Sequence, residues 1–118
     1  MKIVETQAAQ GDMLARRVAA LPENVRPIPA VNGCHVITHS ETGHDHVVLE
    51  RPESGVQHYQ DAMNSLRSFL VVPPGELADL IHKRDVHTHE TLRFGPGVWE
   101  IRRQREFDVA AGWRVAAD

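Results

Sequence analysis

The stretch Gly43-His44-Asp45-His46-Val47-Val48-Leu49-Glu50 sets two histidines one residue apart, with a glutamate four residues after the second. Side chains two apart on an extended strand project from one face, so His44, His46 and Glu50 would share it. Imidazole and carboxylate are ligands for transition metals, and this spacing suits a metal site. A second pair, His87 and His89, repeats the spacing and is followed by Glu90. Two such strands could bring four imidazoles to one ion, because neighbouring strands lie about 4.8 Å apart. The expected ligands are His44, His46 and His89, with His87, Glu50 and His39 competing for the remaining position. Histidine-rich ligation favours zinc, iron, nickel or copper over magnesium or calcium. Three ligands and an open position would suit catalysis, and four closed ligands a structural role. If the metal activates water or dioxygen, Glu41 and Glu90 are the candidate general acid–base groups. His82 is a further ligand candidate. The bland alternative is a histidine-rich polar surface or hydrogen-bonded core that holds no ion.

Positioning these residues requires strands. Residues 34–39 are rich in β-branched side chains, Ser40–Gly43 reads as a turn, and 44–50 returns as a second strand, which makes 34–50 a hairpin. Residues 69–72 begin a strand that stops at Pro73-Pro74-Gly75, and 87–94 alternates as another. Gly95-Pro96-Gly97 makes a tight turn into 98–107, the longest strand candidate, which would fold back beside 87–94. That hairpin would leave the other edge of 87–94 to pair with 44–50 and bring the two histidine pairs together. Trp99, Ile101 and Phe107 would face the core, with Trp113-Arg114-Val115 as a short last strand. Residues 11–21 leave strand and helical turn open, with alanine and arginine leaning helical, and 76–83 is equally open. Residues 22–32 carry three prolines and read as an extended connection. Ser54 and Gln57 fit a capping box, and Tyr59, Ala62, Met63, Leu66, Phe69 and Leu70 recur at helical spacing, which predicts one short helix over 55–68. The fold class expected is mainly β, a small barrel or sandwich formed by a single domain over 1–118.

Bulk properties exclude several functions. At 118 residues the chain can form one core. A formal charge of −3 gives no reason to expect nucleic acid as a partner, and Arg102, Arg103 and Arg105 would split between two faces of a strand. Cys34 is the only cysteine, so an intrachain disulfide framework is excluded. No segment has the length of a membrane span and the first residues lack the apolar run of a signal peptide, so a cytoplasmic location is expected. No phosphate-binding glycine loop, CxxC pair or hydrolase elbow is present, and Cys34 and His35 would point to opposite faces of a strand. A small molecule is the expected substrate. The arginines of 98–107 would need carboxylates near a rim or interface, from which a homodimer is expected.

His44, His46, Glu50 and Gly55 resemble the first half of the first cupin motif. The resemblance implies a small β-barrel holding a metal with three histidines and a glutamate. The chain departs from the second motif, since no histidine follows Gly95-Pro96-Gly97, and His89 would have to stand in. A resemblance covering more of the chain rests on Gln10-Gly11-Asp12, the run from Thr38 to His46, His89-Glu90, Pro96-Gly97-Val98-Trp99 and Gln104-Arg105-Glu106-Phe107. In order and spacing these are similar to a family of small uncharacterised bacterial and phage proteins. That likeness implies no activity, so a non-catalytic, phage-associated or interaction protein is the alternative to a metal-dependent enzyme.

Overall fold

The computed structural model describes residues 1–38, 45–82 and 90–103. They form eleven strands: β1 (Lys2–Val4), β2 (Gln7–Gln10), β3 (Met13–Val18), β4 (Val25–Pro27), β5 (Cys34–Thr38), β6 (His46–Leu49), β7 (Gln57–Asp61), β8 (Arg67–Val72), β9 (Ala78–His82), β10 (Leu92–Phe94) and β11 (Gly97–Arg103). Five make a sheet in the order β1-β10-β9-β6-β5, and six make a second in the order β2-β3-β11-β8-β7-β4. Neighbours are antiparallel except β1 and β10, which run parallel. Among the described residues the pairings end at β1 and β5 in one sheet and at β2 and β4 in the other, so they do not close a barrel.

Alternation decides which side chains go inward. In β9, Ala78, Leu80 and His82 are buried while Asp79 and Ile81 are only partly so; in β2 the buried pair is Ala8 and Gln10. Buried apolar residues of both sheets, among them Met13, Leu70, Leu80, Leu92, Phe94, Trp99 and Ile101, form one hydrophobic cluster. Phe94 and Trp99 pack within it with ring centroids 4.8 Å apart. Fully burying side chains of this size contributes about 1.5–3 kcal/mol each.

The hairpin over 34–50 is present as β5 and β6, with a register shift between Val36 and Thr38. Trp99 and Ile101 are buried as the alternation predicts. Phe107 and the short strand at Trp113–Val115 lie outside the described residues.

Two expectations are corrected and two others are narrowed. Residues 55–68 are not a helix: they hold β7, a turn and the start of β8, whose register pairs Tyr59 with Phe69. Ser54 caps nothing there. It closes a short 3-10 turn, Pro52–Ser54, with its hydroxyl donating to the Arg51 carbonyl, and Gly55 follows in the left-handed region. Of the segment 11–21, left open between strand and helical turn, residues 13–18 form strand, because β3 is held between β2 and β11. Of the strand expected over 87–94, residues 87–89 lie outside the described residues, Glu90 and Thr91 precede the strand, and Leu92–Phe94 form β10. Finally, Gly95-Pro96-Gly97 does not close a hairpin. It carries the chain from one sheet to the other, so β10 pairs with β9 and β1 while β11 pairs with β3 and β8. The crossing is held by Arg17, which lies over the Trp99 ring at 4.3 Å and donates to the Pro96 carbonyl at 2.7 Å. β6 therefore meets β9, and β9 separates it from β10.

Candidate functional site

Three inward rows, two in the five-stranded sheet and one in the six-stranded sheet, end in polar residues that meet. The row through Leu80 in β9 ends at His82, that through Val48 in β6 begins at His46, and that through Ala8 in β2 ends at Gln10. His46 and His82 are register partners, and their imidazoles stack with centroids 4.1 Å apart and planes 5° apart. Both are buried, His46 to 1% exposure.

Gln10 fixes the chemistry of His46. Its amide nitrogen donates to the Leu80 carbonyl at 3.0 Å and to the Glu90 carbonyl at 2.8 Å, which uses both amide hydrogens. The amide oxygen therefore faces His46 Nδ1, 2.8 Å away, and that nitrogen must carry the proton. In a neutral ring the lone pair would then lie at Nε2. Asp12 Oδ1 stands 3.5 Å from Nε2. Two ligands about 2.0–2.1 Å from one tetrahedral ion are themselves about 3.3 Å apart, so this pair has ligand-like separation. A ring N–H donated to a carbonyl-type oxygen is also how a metal-bound histidine is usually oriented. Arg103 approaches the same carboxylate at 3.4 Å from its far oxygen. Without an ion, the same geometry suits an imidazolium beside a carboxylate.

Gly11 lets the Gln10–Asp12 turn lie over the rings. It has φ +60°, and a Cβ there would fall 3.0 Å from His46 Cε1 and 3.3 Å from His82 Cε1. The parallel stack limits what the two rings do together. Their in-plane lone pairs run parallel rather than convergent, so in this arrangement they do not grip one ion jointly. Among the described residues no group of three or more histidine, cysteine or acidic side chains is arranged around a common ion position.

Of the residues singled out by sequence, His46 and His82 come together. Glu50 does not join them. It is exposed beyond the opposite end of β6, about 13 Å along the strand from His46, and its amide donates to the Gly33 carbonyl at 2.8 Å. Glu90 contributes its carbonyl to Gln10, while its exposed carboxylate pairs with the Met1 amino group at 3.1 Å. His39, Glu41, His44, His87 and His89 lie outside the described residues.

Sequence reasoning missed Gln10, Gly11 and Asp12 as site residues, although the triplet was visible as a motif. It also missed two buried histidines, His35 on β5 and His58 on β7, whose rings meet edge-on at 6.4 Å. Burial lowers the His35 pKa, opposed by the Glu50 charge. Burial, with His35 adding to it, lowers His58 to about 4. No spacing rule links residues 35 and 58. Only the packing of the two sheets brings them together.

Fold and site define a mainly β protein whose two sheets share one core and bury two pairs of histidines, His46 with His82 and His35 with His58. The chain belongs to the family described as a domain of unknown function (DUF8820), which matches residues 9–104. The matched span takes in the Gln10–Asp12 turn, His35, His46, His58, His82 and every strand from β3 to β11. No curated protein and no solved structure matches the chain.

Proposed function

We propose that this protein binds a divalent transition metal (zinc, iron, nickel or copper) where the ends of β6 and β9 meet the Gln10–Asp12 turn, with His46 Nε2 and the Asp12 carboxylate among its ligands. The observation that carries the reading is the Gln10 amide, which sets the His46 tautomer so that Nε2 faces Asp12 at 3.5 Å. The remaining ligands in this reading come from His39, His44, His87 and His89. The segments bearing them join the sheet at Thr38, His46, His82 and Leu92, and Thr38, His46 and His82 are successive register neighbours across β5, β6 and β9. The metal would activate water or dioxygen against a small-molecule substrate, with Glu41 as a candidate proton carrier, in a cupin-like two-sheet scaffold.

The second reading is a polar histidine core without an ion, in a protein whose role is interaction rather than catalysis. The parallel stack of His46 on His82 favours it. Mass spectrometry of metals in the purified protein, followed by zinc and iron titration of chelator-treated protein, separates the two. Stoichiometric uptake that His46→Ala abolishes, and that Gln10→Leu weakens by about 10–100-fold, supports the metal site. Absence of uptake, or full uptake by the alanine variant, leaves the polar core. The expected homodimer needs another motive, because Arg102 and Arg103 reach Glu100 and Asp12 of their own chain. Light scattering decides between one copy and two.

A further inference from the structure

A cavity of about 510 Å³ opens between β5 of one sheet and β7 and β8 of the other. Ile28, Val36, Ile37 and Leu66 give it apolar walls, and His58 and Thr38 line it too. His58 is 2% exposed and Thr38 8%. Among the described residues neither ring nitrogen of His58 has a hydrogen-bond partner, and neither does the Thr38 hydroxyl. Native structures rarely leave buried polar groups in this state, since each costs desolvation that folding does not repay. Here the three unpartnered atoms belong to two residues lining one cavity, of a size that holds small ligands.

We infer that this cavity binds a small uncharged organic molecule with an apolar body and a hydroxyl or carboxamide head, which His58 and Thr38 hydrogen-bond. The head's chemistry follows from the groups that meet it. Burial holds His58 neutral down to about pH 4, so the imidazole offers one donor and one acceptor, as the threonine hydroxyl also does. An alcohol or primary amide answers both kinds of group. A cationic head would leave water for a lining that holds no carboxylate among the described residues. An anionic head would leave water for a neutral imidazole, while the charge of Arg103, which lines the same cavity, is already answered by Asp12 at 3.4 Å. None of this requires a metal, and neither His58 nor Thr38 is in the proposed ligand set.

The test uses four probes with one apolar body: hexanamide, hexan-1-ol, hexanoate and hexan-1-amine. Calorimetry and ligand-observed NMR are run on the full chain with chelator present, so failure of the metal reading leaves the result interpretable. Hexanamide and hexanol are expected to bind at least tenfold more tightly than the two charged probes. Thr38→Val, which keeps the side-chain shape, is expected to weaken hexanamide about tenfold, and His58→Phe at least as much. Equal binding of all four probes, binding of none, preference for a charged probe, or unchanged hexanamide affinity in Thr38→Val would overturn the inference. If His58→Phe fails to fold, the valine variant and the probe ranking decide the matter alone.

Discussion

Gly11 does for the site what no charged residue does: it removes a Cβ from the space above two stacked imidazoles. An alanine there would need both a left-handed backbone and 3.0 Å of room that the His46 ring already takes. Gly33 makes a useful control, because it has φ +77° and nothing within 4 Å of an added Cβ. Gly33→Ala is expected to cost about 1 kcal/mol from backbone strain alone. Gly11→Ala is expected to cost about 2–3 kcal/mol, the excess coming from the displaced ring. Urea denaturation of both variants measures the difference, and equal losses would mean the turn does not press on the histidines. The Gln-Gly-Asp triplet could be read from the sequence as a motif but not as a mechanism. Its partners, Leu80, Glu90 and His46, come from strands that only the sheet order places beside it.

At the scale of elements, β11 holds the six-stranded sheet together through Glu100, which is 1% exposed and pairs in register with Arg16 of β3. Its carboxylate accepts from Arg16 at 2.7 Å, from Arg67 of β8 at 2.7 Å and from Arg102 at 3.3 Å. Burial alone would raise the Glu100 pKa, but the hydrogen bonds from Arg16 and Arg67 and the charge of Arg102 carry it below the usual range. Glu100→Gln keeps the shape and removes the charge, and is expected to cost about 2 kcal/mol near neutral pH. A depressed folded pKa contributes stability that is present above the unfolded value and lost as pH falls through the folded one. The gap between wild type and variant should therefore narrow as pH falls below the ordinary carboxylate range; a gap that does not narrow in acid would assign the loss to packing. Sequence showed β11, β8 and the β5–β6 hairpin well, because β-branched runs and alternation are local. It misread 55–68 because Tyr59, Ala62, Met63 and Leu66 fall at helical spacing across a strand end and a turn. It misplaced β10 because a Gly-Pro-Gly turn between adjacent strands does not reveal that they enter different sheets.

For the whole molecule, the buried histidines set a pH window distinct from that of the carboxylates. His58 titrates at about 4 when folded, against 6.5 as its ordinary value, and burial lowers His35 in the same direction. Between those two values the unfolded chain binds protons that the folded chain refuses, so stability must fall as pH drops through the window. Glu100, Asp61 and Asp79 are all shifted downward from values of 4.5 or 3.8, so their contributions fade only at lower pH. Stability should thus decline in two stages, histidines first. His58→Phe removes the larger member of the first stage together with a buried group that has no partner, so it should raise stability most near pH 4–5 and least above pH 7. Urea midpoints at about pH 7.5, 5.5 and 4 for both proteins check this. Parallel curves would show that His58 takes up its proton as easily in the folded chain as in the unfolded one. The same pair of curves also states what keeping His58 costs the fold. A residue that weakens the protein in mild acid and leaves two ring nitrogens unsatisfied is better explained by a bound molecule than by packing, since an aromatic hydrocarbon ring would pack there without the loss.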